Sequence, residues 1–125
     1  MLSMLQNNRF MVEEIKKYLF DINEAILSIE SYLGEKRDFN IYLKNKMLRR
    51  AVEREFEIIG EAMNKIDKLA AEIPISAKSQ IISMRNRVIH GYDKIDDTIV
   101  WGTIVRHLPI LKQEVAELLE IEQQK

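Results

Sequence analysis

The sequence predicts an all-α fold, an up-and-down bundle of four main helices, and three observations carry that expectation. Apolar residues recur at steps of three and four through four separate stretches, the spacing of one helix face. Four glycines and two prolines in 125 residues leave little material for hairpin turns. The breaks between the periodic stretches are short, as in antiparallel bundles.

In the first stretch Met11, Ile15, Leu19, Ile22, Ile26, Ile29 and Leu33 form the stripe, and Gly34 offers a left-handed C-terminal cap. The second begins after Asp38, a favourable N-cap, and runs through Leu48, Val52, Phe56, Ile59, Met63 and Ile66. Pro74 ends it. The third starts near Ser76 and carries Ile81, Ile82, Met84 and Val88 up to Gly91. Asp96, Asp97 and Thr98 form a capping cluster for the fourth, whose stripe is Val100, Ile104, Leu108, Leu111, Val115 and Leu118. Pro109 within it removes a backbone donor and should bend or split that helix. Residues 1–125 read as a single domain, since neither a linker nor an internal repeat interrupts them.

Composition narrows the functional classes. Without cysteine, disulfides and thiolate metal sites are excluded, which fits a reducing cytoplasm. No apolar run approaches the roughly 18 residues of a membrane span, so a soluble cytoplasmic protein is expected. A net charge of −1 gives no global attraction to nucleic acid, so any RNA contact must come from a local cationic patch. The second helix supplies a candidate in Lys44, Lys46, Arg49, Arg50 and Arg54. Glu53, Glu55 and Glu57 stand close enough for i,i+4 pairing, and a solvated helix face is the simpler reading. The cluster gains interest if it borders the chemistry-bearing segment.

That segment is Arg85-Asn86-Arg87-Val88-Ile89-His90-Gly91-Tyr92. Arginine presents a planar fork of donors that matches phosphate oxygens. Histidine titrates close enough to neutrality to give and take protons. The pair suggests chemistry on a phosphodiester. On an unbroken helix five steps turn His90 about 140° from Arg85, so something must reunite them. Either the helix ends at His90-Gly91 and the imidazole swings back, or a two-fold dimer brings two motifs into one cleft. Arg87, three residues from His90, competes with Arg85 for the phosphate role. His107 beside Arg106 reads as structural, Trp101 as core or interface, and the methionines as core filler.

The arrangement Arg85, Asn86, His90 and Tyr92 resembles the motif of the HEPN superfamily, and of its HepT-like branch in particular: arginine, four residues, histidine, one residue, tyrosine. The stretch Arg50-Ala51-Val52-Glu53-Arg54-Glu55-Phe56-Glu57-Ile58-Ile59-Gly60-Glu61-Ala62 is similar to the second-helix signature of that branch. The segment from Trp101 to Leu111 is similar to its last helix.

The resemblance implies a dimeric bundle with two motifs facing each other, acting as a metal-independent endoribonuclease toxin that needs no cofactor. Arg85 and His90 would be catalytic, with Asn86 and Tyr92 supporting them. Arg87, Lys46, Arg49 and Arg50 are candidates for RNA contact. The implied partner is a nucleotidyltransferase antitoxin of the MNT type, which would neutralise the toxin by transferring AMP to Tyr92, and transfer RNA is an implied target. The alternative is a non-catalytic HEPN module that binds nucleotides or a protein partner.

Overall fold

The computed structural model describes the backbone of residues 2–89 and 97–123, and the side chains of residues 13–86 and 97–121. Six helices follow one another: α1 (Leu2–Leu33), α2 (Phe39–Lys44), α3 (Lys46–Leu69), α4 (Lys78–Ile89), α5 (Asp97–Arg106) and α6 (Leu108–Gln123). No strand occurs among the described residues. The fold is all-α, and α3 is its central element, with α1 and α4 packed along it and α6 lying on α1.

The predicted stripes become the core. Ile15, Leu19, Ile22, Ile26 and Ile29 of α1 meet Val52, Phe56, Ile59, Met63 and Ile66 of α3, with Ile81 and Met84 of α4 on one side. Val100, Ile104, Leu108, Leu111 and Val115 complete it from α5 and α6. Leu33, Leu48 and Leu118 pack at its margin. Fully burying an aliphatic side chain contributes about 1.5–3 kcal/mol, so these stripes dominate the fold. Met63 and Met84 are core residues as expected, but Met47 is 82% exposed. Its position one step outside the α3 stripe leaves it nothing to pack against.

Each helix end has a local cause. Gly34 adopts φ +71°, and its N–H donates to the Glu30 carbonyl at 3.0 Å, closing α1. Asp38 caps α2 by accepting from the Asn40 and Ile41 amides. The predicted second helix is in fact two, because Asn45 breaks it. Asn45 is extended (φ −105°, ψ 95°), and its side chain accepts from the Leu48 amide, so it is at once the end of α2 and the N-cap of α3. An asparagine side chain that satisfies an orphan amide competes with helix continuation.

The last predicted helix divides at His107. The backbone bonds continue across the break, His107 N–H to Thr103 O and Leu111 N–H to His107 O, both 2.9 Å. Pro109 is the second residue of α6, where a missing N–H costs little. Its ring also crowds the carbonyl one turn earlier, which accounts for the bend. α5 begins at Asp97, which therefore lies in the first turn instead of before it; Asp96 lies outside the described residues.

Polar ties fix the packing. Lys112 of α6 reaches Glu30 of α1 at 2.9 Å, Tyr32 of α1 donates to Glu55 of α3 at 3.0 Å, and Lys78 at the start of α4 pairs with Asp67 near the end of α3 at 3.1 Å. The Glu55 hydrogen bond raises the Tyr32 pKa. No described helix is long and apolar enough to cross a membrane.

Candidate active site

Arg85 and Asn86 sit on α4 where it crosses α3. The crossing is made at Gly60. A Cβ built there would fall 2.1 Å from the Cβ of Arg85, 2.7 Å from its Cγ and 3.2 Å from the Ile81 carbonyl. Only a residue without a side chain allows the two backbones this approach. The stem of Arg85 thus lies in the trough left by Gly60, and the residue is half-buried.

The Arg85 guanidinium donates from an Nη to the Oδ1 of neighbouring Asn86 at 3.0 Å. Its Nε is buried and has no hydrogen-bond partner among the described residues. A guanidinium carries five N–H donors and no acceptor, so beyond the buried Nε and the N–H given to Asn86 this one has further Nη donors to offer. That is what an anion-binding arginine requires: a clamped stem, one steering hydrogen bond, and donors left over.

Two contacts set the direction of α4 against α3. Lys78 pairs with Asp67, and Arg85 lies over Gly60, so the helices run antiparallel. The far end of α4 is thereby carried toward the first half of α3, the half that holds Lys46, Arg49, Arg50 and Arg54. The backbone of Arg87 belongs to α4, but its side chain lies outside the described residues. His90 and Tyr92 lie outside them altogether.

The cations of α3 behave differently from one another. Arg49 turns inward: it donates to the Leu43 carbonyl at the end of α2, and its Nε lies 4.0 Å from the Asp97 carboxylate at the start of α5. It thus joins three helices. Arg50 points outward with 67% of its side chain accessible and pairs with Glu53 at 3.2 Å; Arg54, 66% accessible, pairs with Glu57 at 3.3 Å. Lys46 is exposed. The arginine pairs are i,i+3 and not the expected i,i+4, and Glu55 faces Tyr32 instead.

From sequence alone Gly60 has no assigned role and Glu53 only that of an ion-pair partner, yet a signal exists for both. Arg49, Glu53, Phe56 and Gly60 recur at steps of four, three and four, a second stripe beside the apolar one. Glu53 is 7% exposed on this stripe. A glycine inside a helix costs about 1 kcal/mol relative to alanine, which itself signals a close approach. Near this stripe Tyr42 is fully buried against Trp101, ring centroids 5.3 Å apart, and its hydroxyl has no partner among the described residues. Burial pushes the Tyr42 phenol pKa upward, with Asp97 and Glu53 adding to the rise.

A separate cleft of about 600 Å³ opens between α4 and α5, lined by Gln80, Ser83, Met84, Trp101, Arg106 and His107 among others. Arg85 and Asn86 do not line it. Among the described residues no group of three or more histidine and carboxylate side chains is placed to hold a metal ion.

Comparison with known proteins finds relatives along most of the chain. Residues 22–118 match the family described as Ribonuclease HepT-like. A Thermococcus cleftensis protein named a probable ribonuclease HepT is 37% identical over 107 residues, covering 82% of this chain and 94% of its own. A Methanocaldococcus jannaschii protein named a putative RNase is 33% identical over 103 residues, with the same coverage of 82% and 94%. A second protein of that organism with the same kind of name is 31% identical over 108 residues, 86% of this chain and 88% of its own. No solved structure matches. With most of its length accounted for in this way, the chain belongs to the HepT-like ribonuclease family.

Proposed function

We propose that this protein is an endoribonuclease that cuts RNA by transesterification, and that it acts as the toxin of a toxin–antitoxin pair. The observation that carries the reading is Arg85. It is a guanidinium with Nη donors beyond the one that Asn86 engages among the described residues, seated on Gly60 in a chain of the HepT-like family.

RNA contains its own nucleophile, the 2′-hydroxyl. The protein therefore needs only to move protons and to stabilise charge on the phosphate. His90 takes the 2′-hydroxyl proton or protonates the leaving 5′-oxygen, a role that contributes typically 10²–10⁴-fold. Arg85 holds the non-bridging oxygens and stabilises the negative charge that gathers on them. Asn86 keeps the guanidinium in place. In a homodimer two histidines divide the acid and base roles between them. The products are a 2′,3′-cyclic phosphate and a 5′-hydroxyl, formed without metal, and transfer RNA is one candidate substrate.

Tyr92, two residues beyond His90, is the regulatory position. Transfer of AMP to its hydroxyl by an MNT-type nucleotidyltransferase would place a phosphate and a nucleoside where substrate phosphate binds. Charge repulsion and occlusion then silence the site.

The test is incubation of the purified protein with cellular RNA in chelator, comparing wild type with Arg85→Ala and His90→Ala. Cleavage by wild type that is lost in both folded variants, with cyclic-phosphate ends, is the expected result. RNA binding without cleavage by wild type would instead mark a binding module. Arg87→Ala alone abolishing cleavage would move the phosphate role to Arg87. Co-expression with the transferase should add the mass of AMP to wild type but not to Tyr92→Phe.

A further inference from the structure

Lys46, Arg50 and Arg54 stand four residues apart along α3. Four residues advance an α-helix about 6 Å and turn it about 40°, so the three form one row about 12 Å long. Measured around α3 from Gly60, the position covered by Arg85, they lie roughly 40°, 80° and 120° away, all on the same side. The row therefore starts near the α3–α4 seam at Lys46 and winds outward to the flank of α3 at Arg54. From Gly60 to Arg54 is six residues, about 9 Å along the axis.

All three side chains are exposed, whereas Arg49, between them in sequence, is turned into the fold. Arg50 and Arg54 each engage a carboxylate three residues on, Glu53 and Glu57, and keep other donors facing solvent. The Arg54–Glu57 pair is partly exposed and contributes about 0.2–1 kcal/mol, so a stronger anion can displace it, whereas Glu53 is buried and Arg50 would meet an anion through its remaining donors. Farther along the same flank the charge reverses at Glu57 and Glu61, the latter paired with Lys65 at 3.7 Å. The cationic row thus has a definite end, and it covers only the half of α3 toward which α4 runs.

We propose that Lys46, Arg50 and Arg54 bind successive phosphates of one extended single RNA strand leading away from the scissile linkage held by Arg85. The even pitch of the row suits successive phosphates of one strand, and the duplex arm of the experiment below decides whether that strand is single. An arginine fork can hold a phosphate through two parallel hydrogen bonds, and a row of cations suits a chain of phosphates. The proposal rests on the ribonuclease reading for the position of the scissile bond, but the strand contact itself is independent of cleavage.

The experiment measures binding of a labelled single-stranded RNA with 2′-O-methyl riboses, which removes the nucleophile, across a series of salt concentrations. Each phosphate contact on a single strand contributes about −0.7 to the slope of log affinity against log salt. Replacing Lys46, Arg50 and Arg54 together by alanine should flatten the slope by about 2, and each single change by about 0.7. Glu57→Gln, which frees Arg54, should tighten binding. A triple variant with native circular dichroism and an unchanged slope overturns the proposal. Equal loss on duplex and single-stranded RNA overturns its single-strand part. In cleavage of a long RNA the triple variant should raise KM more than it lowers kcat, and an unchanged KM counts against the row. If wild type cleaves no RNA at all, the ribonuclease reading fails while the salt slopes still decide the strand contact.

Discussion

Arg85 occupies the space that a side chain on Gly60 would need: the two Cβ positions would be 2.1 Å apart. A helix interior that omits a side chain gives up about 1 kcal/mol of helix propensity. Here the omission sets the depth at which the guanidinium stem sits against α3, so one glycine links packing to the proposed chemistry.

Gly60→Ala should therefore lower stability by up to about 2 kcal/mol, an overpacking cost of about 1–3 less the roughly 1 kcal/mol of alanine's helix preference. RNA cleavage should fall further than stability does, because Arg85 must shift. Gly102→Ala is the control, since a Cβ there meets nothing within 4 Å. It should be neutral or slightly stabilising in urea titration.

Arg85→Lys should fold normally and lose most cleavage. Lysine keeps the charge but not the planar fork, nor the geometry that pairs with Asn86 at 3.0 Å. A drop of about 10²-fold or more in kcat/KM is expected, on the scale of losing one transition-state donor. Activity close to wild type would show that charge alone suffices.

Tyr42→Phe removes a buried hydroxyl without a partner among the described residues, and should raise Tm by a few degrees near neutral pH. Its pH dependence has a definite sign. Burial, then Asp97 and Glu53, raise the folded-state pKa above the ordinary 10.0. The fold therefore holds Tyr42 as the neutral phenol, with no ionisation cost below pH 10, and stability falls as pH climbs beyond it. Wild type should lose up to about 1.4 kcal/mol per pH unit in that range relative to Tyr42→Phe. Parallel alkaline denaturation curves would refute the assignment.

Asn45→Ala should cost about 0.5–2 kcal/mol, because the Leu48 amide loses its cap. The helical content should rise or stay constant as α2 and α3 merge, a combination that circular dichroism with thermal melting detects. A fall in helix content would mean that the break serves packing and not capping.

Arg49→Ala should destabilise the joint of α2, α3 and α5 by about 1 kcal/mol or less, since its pair with Asp97 is long and about a quarter exposed on each side. The salt slope of RNA binding should stay at the wild-type value. A flatter slope would place Arg49 among the RNA contacts.

The stripes from Ile15 to Leu33, from Leu48 to Ile66 and from Val100 to Leu118 were readable because burial follows a period of 3.6 and single residues matter little. Gly34 and Asp38 were readable because their caps depend on residue type alone. The break at Asn45 was not, since its apolar flanks keep helical spacing on both sides and the choice between capping and continuing is a small energy difference. Charge runs show where cations are but not which way each turns. The inward course of Arg49 follows from its place in the Arg49–Glu53–Phe56–Gly60 stripe, legible only once the α4 side of α3 is known. Of the site, the sequence indicated Arg85 by chemistry and Asn86 through the motif it shares with the family. The closeness of Arg85 to Gly60 is a tertiary fact that no local pattern encodes.

The joint at His107 has a mechanical consequence. Because amides are still passed from Thr103 to His107 to Leu111, the two segments form one elbowed lever. Its long arm is fastened to α1 through Lys112 and Glu30, and its short arm begins at Asp97, tethered by Arg49. Loosening the anchor on α1 should thus be felt at the opposite tip, and hydrogen exchange should find both arms opening as one unit.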